Sequence, residues 1–231
     1  MITTVGFDAD DTLWHNESIF VSTHEKLRAL LVAYHDAETV ERQLFATEMR
    51  NLERYGYGIK SFALSAIETA VELSRGQLKA DEVSAIIKLT HLMLDHPVEI
   101  LPHVVETIEA LRSSYRLIVI TKGDLRDQER KIRRSGLEGS FSAVEIVSEK
   151  DRNSYDRILR RHAVRPEEFL MVGNSIRSDI LPALELGAYA AHVPYPLTWE
   201  HERVDKEPEH ERYFSLSALA ELPPLLERLS A

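Results

Sequence analysis

Thr3-Thr4-Val5-Gly6-Phe7-Asp8-Ala9-Asp10-Asp11-Thr12-Leu13-Trp14 is the stretch around which the rest of the chain is organised. Val5 and Phe7 belong to a short apolar run that reads as a buried strand, and three carboxylates follow where that strand runs out. Carboxylates held close together repel one another and lose hydration. A fold that gathers Asp8 and Asp10 must offset that cost with a cation, a shared proton or hydrogen bonds. Past the end of the strand the chain can bend, which lets one acid act as nucleophile while the other approaches from the leaving-group side. The same residues also suit an acidic turn or a helix N-terminal cap.

After Trp14 the pattern is helical until about Leu101. Phe20, Leu27, Leu31 and Tyr34 form one stripe, followed by Val40, Leu44 and Leu52, by Leu64, Ile67 and Val71, and by Val83, Ile86, Ile87, Thr90 and Leu94. Breaks at His35-Asp36, Tyr55-Gly56-Tyr57-Gly58, Arg75-Gly76 and Pro97 separate these into four amphipathic helices. From Leu101 helices and strands alternate. Buried strands are expected at Leu117 to Ile120, Val144 to Val147, Phe169 to Val172 and Ala190 to Val193, with a weaker one at Arg212 to Leu216. Helices are expected at Val104 to Leu111, Leu125 to Ser135, Tyr155 to His162, Ile180 to Leu186 and Leu219 to Leu229. Such alternation implies a parallel α/β sheet with right-handed crossovers, and the first strand must join it across the helical insert. The expected organisation is a Rossmann-like core of residues 1–15 and 98–231, with residues 16–97 inserted as a four-helix unit.

In an open parallel sheet the ligand crevice lies beyond the carboxyl ends of the strands. Asp8 and Asp10, Thr121-Lys122-Gly123, Ser148 to Asp151 and Gly173 to Asp179 all follow strands, so one pocket can gather them. Each has a plainer reading as well. Thr121 suits the cap of the next helix, and Lys122 beside Gly123 suits an anion or plain solvent. Tyr55, Tyr57 and Lys60 lie at a Gly-containing turn of the insert and are candidates for touching substrate or parts of an ordinary loop. His192, His201 and His210 lack close helical spacing and read as exposed loop residues rather than a metal set.

Composition narrows the function. With 44% hydrophobic and 29% charged residues among 231, the chain reads as an ordinary globular protein. Its formal net charge of −10 argues against nucleic acid as the main partner. No apolar run reaches bilayer length and the start lacks an export pattern, so no membrane partner and a cytoplasmic location are expected. The absence of cysteine excludes disulfides, thiolate metal sites and a Cys nucleophile.

Asp8-Ala9-Asp10-Asp11-Thr12 resembles the DxDxT motif of the haloacid dehalogenase-like hydrolase superfamily, mostly its phosphatase branch. Thr121 resembles that family's second motif, Lys150 its third, and Gly173-Asn174-Ser175-Ile176-Arg177-Ser178-Asp179 its fourth. Two departures stand out: Asp151 replaces the proline common after the lysine, which leaves Arg152 as a fallback, and Asn174 replaces the first acid of the fourth motif. The helical insert lies where the family's C1-type cap belongs.

The resemblance implies that Asp8 attacks phosphorus and Asp10 serves as acid and base, while Thr121 and Lys150 cover phosphate charge and Thr12 supports the acid pair. It implies Mg²⁺ held by Asp8, the Asp10 carbonyl, Asp179 and Asn174, and a small phosphorylated metabolite as substrate. Two alternatives come with it: a metal-independent 2-haloacid dehalogenase, and a phosphate-ligand-binding protein with little turnover.

Overall fold

The computed structural model describes residues 1–230. The described residues form two compact units, one of Ser18–Pro97 with Gly123–Asp127, the other of Met1–Glu17, Val98–Lys122 and residues 128–230.

The helical unit is built from α1 (Glu17–Leu31), α2 (Ala37–Tyr55), α3 (Ile59–Leu73) and α4 (Ala80–Asp95). Two of the breaks expected from the sequence, those that bound α2, have a local cause. The Asp36 side chain accepts from the Thr39 N–H at 2.9 Å and starts α2, and Gly56, at φ +69°, ends it. Leu27 and Leu31, Val40 and Leu44, Ile59, Phe62, Ala66 and Ala70, and Ile86 and Met93 make the core of this unit. That corrects the expectation for α3, because Leu64 and Val71 are exposed. Beyond Ile59 and Phe62, the face α3 buries is one of small residues, Ser61, Ser65, Ala66, Thr69 and Ala70. A helix packed through small residues loses the apolar stripe by which a sequence is read.

In the other unit β1 (Thr4–Phe7), β2 (Arg116–Lys122), β3 (Ala143–Val147), β4 (Phe169–Gly173), β5 (Tyr189–His192) and β6 (Tyr213–Ser215) form one parallel sheet in the order β3-β2-β1-β4-β5-β6. Helices α5 (Val104–Leu111), α6 (Leu125–Ser135), α7 (Arg152–Arg161), α8 (Leu181–Glu185) and α9 (Leu222–Ser230) complete the chain. Strands covered on both faces carry near-continuous apolar runs, and their side chains alternate between two layers. Val5, Phe7, Leu117, Val119, Leu170 and Val172 pack with Ile108 of α5 and Leu222 and Leu225 of α9. Ile118, Ile120, Phe169 and Met171 face the other way, with Tyr155 and Ile158 of α7 and Ala183 of α8. Gly6 makes room for the second layer, since a Cβ there would meet the Phe169 ring at 2.5 Å.

Three boundaries differ from expectation, each for a physical reason. Helix α7 starts at Arg152 because the Asp151 carboxylate accepts from the Ser154 N–H at 2.7 Å. That cap accounts for the acid standing where the family places proline. The helix expected from Ile180 is instead a π-turn over Ile176–Ile180 followed by the short α8; the Ile180 N–H reaches back five residues to the Ser175 carbonyl at 3.3 Å. Pro223 and Pro224 lie in the first turn of α9, where a missing N–H breaks no bond. No helix is long and apolar enough to cross a membrane among the described residues.

Candidate active site

Strand β1 lies in the middle of the sheet, with Phe7 level with Val119 of β2 and Val172 of β4, so its carboxyl end opens where strand order reverses. The ladder extends one residue further, through the Asp8 N–H to the Val172 carbonyl at 2.9 Å, and fixes Asp8 at the strand tip. The buried Asp8 carboxylate is met by the Lys150 ammonium on one oxygen and by the Thr12 hydroxyl on the other, at 2.9 Å. Lys150 follows β3 and is itself buried, and its nitrogen also lies 2.7 Å from Asp179 Oδ1. The remaining oxygen of Asp179 accepts from the Ser175 N–H at 3.0 Å, across the π-turn. Lys150, and not the exposed Arg152, is therefore the lysine of this site.

One ammonium stands between two buried carboxylates. Burial pushes the Asp8 carboxyl up to about 7, and the charge of Asp179 adds to the rise against the pull of Lys150. Burial works against the charged form of Lys150, yet Asp179 and Asp8 together raise it above the ordinary lysine value.

Asp10 points to a different set of partners. Lys131 of α6 lies 2.6 and 2.7 Å from its two oxygens, Gln128 Nε2 2.8 Å and Trp14 Nε1 2.7 Å away. Burial alone would raise the Asp10 carboxyl, but Lys131, Gln128 and Trp14 outweigh it and hold it below the usual carboxylate range. Asp11, the third acid, takes the capping role that the sequence left open: it accepts from the N–H groups of Asn16 and Glu17 at 2.8 and 3.0 Å. The capping reading of the acidic stretch is thus realised by Asp11, while Asp8 and Asp10 are each met by a lysine and hydrogen-bond donors.

Asn174 stands against this cluster. Three oxygens surround its side-chain amide: Asp8 Oδ2 at 3.2 Å, the Asp10 carbonyl at 3.3 Å and Thr12 Oγ1 at 3.3 Å. With its NH₂ turned inward the amide donates to all three, and its own N–H donates to Thr12 Oγ1 at 3.1 Å. Behind it His192 Nε2 lies 3.0 Å from the Asn174 carbonyl, which corrects the expectation of an exposed loop histidine: His192 is buried on β5. Thr121 is buried near the end of β2, two residues past the level of Phe7.

Lys122 is turned elsewhere. Its ammonium lies 2.5 Å from Glu202 and 2.8 Å from Ser178 Oγ. In the helical unit Tyr55 is exposed at the end of α2, Tyr57 follows in the turn, and Lys60 pairs with Asp124 at 2.9 Å. Sequence reasoning missed Lys131, Gln128, Trp14, Glu202 and His192. Only Gln128 and Lys131 left a trace, a spacing of three that puts them on one face of α6.

Gly173 is required by close approach. A Cβ there would fall 2.2 Å from Asp179 Oδ2, inside the carboxylate that holds Lys150. Gly173→Ala is expected to displace Asp179, to cost about 1–3 kcal/mol in stability by overpacking and to lower turnover together with it. A melt and a rate measured on the same preparation check this.

The donor set fits a small divalent cation. Rotated by half a turn, the Asn174 amide presents its oxygen to Asp8 Oδ2 and the Asp10 carbonyl at the same 3.2 and 3.3 Å. Neighbouring ligands of an octahedral Mg²⁺ stand about 3.0 Å apart. With both carboxyls ionised, the Asp8–Lys150–Asp179 group carries one more negative than positive charge, which a cation offsets. Among the described residues no three His, Asp or Glu side chains form a metal-binding group, so an ion here relies on an amide and a main-chain oxygen beside Asp8.

Comparison with known proteins places the chain in one family. A family model described as haloacid dehalogenase-like hydrolase matches residues 2–187. The chain is similar, at 37% identity and a TM-score of 0.90, to the crystal structure of a haloacid dehalogenase-like family hydrolase from Xanthomonas campestris, over 99% of this chain and 91% of that one. It is 28% identical to a glyceraldehyde 3-phosphate phosphatase of Methanothermobacter thermautotrophicus, over 89% of this chain and 92% of that protein. It is also similar to a 2-haloacid dehalogenase from Pseudomonas syringae, at 25% identity and a TM-score of 0.66, over 99% and 100% of the two chains.

Proposed function

The chain belongs to the haloacid dehalogenase-like hydrolase family, and from that premise we propose that it is a cytoplasmic, Mg²⁺-dependent phosphatase of a small phosphorylated metabolite. The observation that carries this reading is Asp10: a partly buried carboxylate, two residues from Asp8, held by Lys131, Gln128 and Trp14. Displacement of halide leaves no alkoxide to protonate and gives such an acid no task. Cleavage of a phosphate ester does.

Asp8 attacks phosphorus in line and forms an aspartyl-phosphate, which splits one difficult displacement into two easier ones. Because Lys131 holds it ionised, Asp10 takes up a proton only when the negative charge of the substrate arrives beside it. It passes that proton to the leaving oxygen, then regains one from the water that attacks the intermediate, help typically worth about 10²- to 10⁴-fold. Thr121, Thr12 and Lys150 orient and neutralise the phosphoryl oxygens. Asp8, the Asp10 carbonyl and Asn174 would hold Mg²⁺, with Asp179 adding charge, and the ion would supply positive charge against the phosphate beside an anionic nucleophile. Tyr55, Tyr57 and Lys60 are the residues of the helical unit proposed to read the rest of the substrate.

Dehalogenation is the second reading, favoured by one observation, the amide of Asn174 where the phosphatase pattern has an acid. A panel of phosphorylated metabolites that includes glyceraldehyde 3-phosphate, run with Mg²⁺ and with chelator beside a set of 2-haloacids, separates the two. Phosphate release that falls at least about 100-fold in chelator is expected. Halide release in chelator, with no phosphate release under any condition, would overturn the reading.

A further inference from the structure

Glu202 belongs to neither the acid cluster nor any motif, yet it is among the most fully engaged carboxylates of the chain. It lies in the segment between β5 and β6, only 11% of its side chain is exposed, and three donors converge on it: Lys122 Nζ at 2.5 Å, Ser175 Oγ at 2.5 Å and Ser178 Oγ at 2.6 Å. Two of those donors belong to the turn that carries Asp179: Ser175 precedes the turn and gives its N–H to Asp179, and Ser178 stands next to Asp179 within it. The third, Lys122, is the residue after Thr121, and its carbonyl accepts from the Gln128 amide that also holds Asp10. The segment is anchored twice more, by Arg177 to the His201 carbonyl at 2.8 Å and by Tyr195 to His15 at 2.7 Å.

Lys122 thus has its backbone at the phosphoryl site and its charge spent beside it. A largely buried ammonium deprived of its carboxylate keeps much of its desolvation cost and turns to the anions left to it, the half-exposed Glu149 at 3.6 Å and a bound phosphate. We propose that Glu202 is a positioning residue that latches Lys122 away from the phosphoryl pocket, so that Lys150 meets the phosphate while Lys122 is withheld and product leaves readily. This rests on the phosphatase reading above. Were both lysines to face phosphate, the product would be held by one more charge-assisted hydrogen bond than the reaction needs.

The test is the affinity of the Mg²⁺-loaded protein for inorganic phosphate, measured by calorimetry and as product inhibition. Glu202→Gln keeps the shape and both serine contacts but removes the charge. It is expected to bind phosphate about tenfold tighter or more, the lower end of what one hydrogen bond from a charged donor contributes, and to show a lower kcat with a lower KM. In Glu202→Gln with Lys122→Met the gain in affinity should vanish. A residue that merely braced its loop would, when changed, weaken phosphate binding and stability together. Should Glu202→Gln not fold, Glu202→Asp, which keeps the charge one methylene short of Lys122, carries the same comparison with a smaller gain. Phosphate affinity equal to or weaker than wild type in a folded variant, with wild-type turnover on the ester panel, would remove the latch and leave the phosphatase reading standing. A wild-type protein that neither hydrolyses any ester nor binds phosphate would remove both.

Discussion

Asp8→Asn is expected to lower turnover by at least about 10⁴-fold, the scale on which removal of a covalent nucleophile is felt. Asparagine has the same shape, so the Thr12 hydroxyl and the Val172 carbonyl keep their partner. It removes one of two buried carboxylates that share the Lys150 ammonium, and Lys150 keeps Asp179 at 2.7 Å. The melting temperature should therefore stay the same or rise while activity disappears. Rate and melt are measured together because only their divergence identifies a reacting group. An Asp8→Asn protein that hydrolyses the preferred ester at an undiminished rate would take the nucleophile's role from Asp8.

That prediction rests on a stretch whose local sequence states its own structure. Val5 and Phe7 face a covered layer, and the run of apolar residues in Leu117 to Ile120 and Phe169 to Val172 is what a strand buried on both faces requires. The four insert helices were equally legible from their breaks, because Asp36 and Gly56 act within their own turns. What the sequence concealed are pairings across long separations. Lys131 is one base among several in Leu125 to Ser135, marked only by its spacing of three from Gln128; the fold brings it to Asp10, 121 residues away. Glu202 lies among other acids in a loop, and its partners are 24 to 80 residues off. The π-turn was hidden for another reason. A spacing of four between Ser175 and Asp179 is compatible with a regular helical turn, and the wider winding that aims Asp179 at Lys150 depends on Gly173 having no Cβ.

Lys150→Met should be the most damaging single change to the folded state. The lysine is buried between Asp8 and Asp179, and removing one partner from a buried ionic group leaves the others uncompensated, at a cost of about 3–5 kcal/mol. For a chain of this length that corresponds to a fall of roughly 6–20 °C in melting temperature. Two carboxylates then face one another without a cation, so added Mg²⁺ should recover part of the loss. Lys150→Met with Asp179→Asn is expected to recover most of it, because the second change removes the charge that the first exposed. Turnover behaves differently. The ammonium is required to let an anionic Asp8 approach an anionic phosphate, and loss of such a fixed charge costs about 10²- to 10³-fold or more. The double variant should accordingly be stable and inactive. Recovery of turnover along with the melting temperature would mean that Lys150 acts only by holding the strand ends together, and a single variant as stable as wild type would mean that the two carboxylates are not jointly ionised in the folded protein.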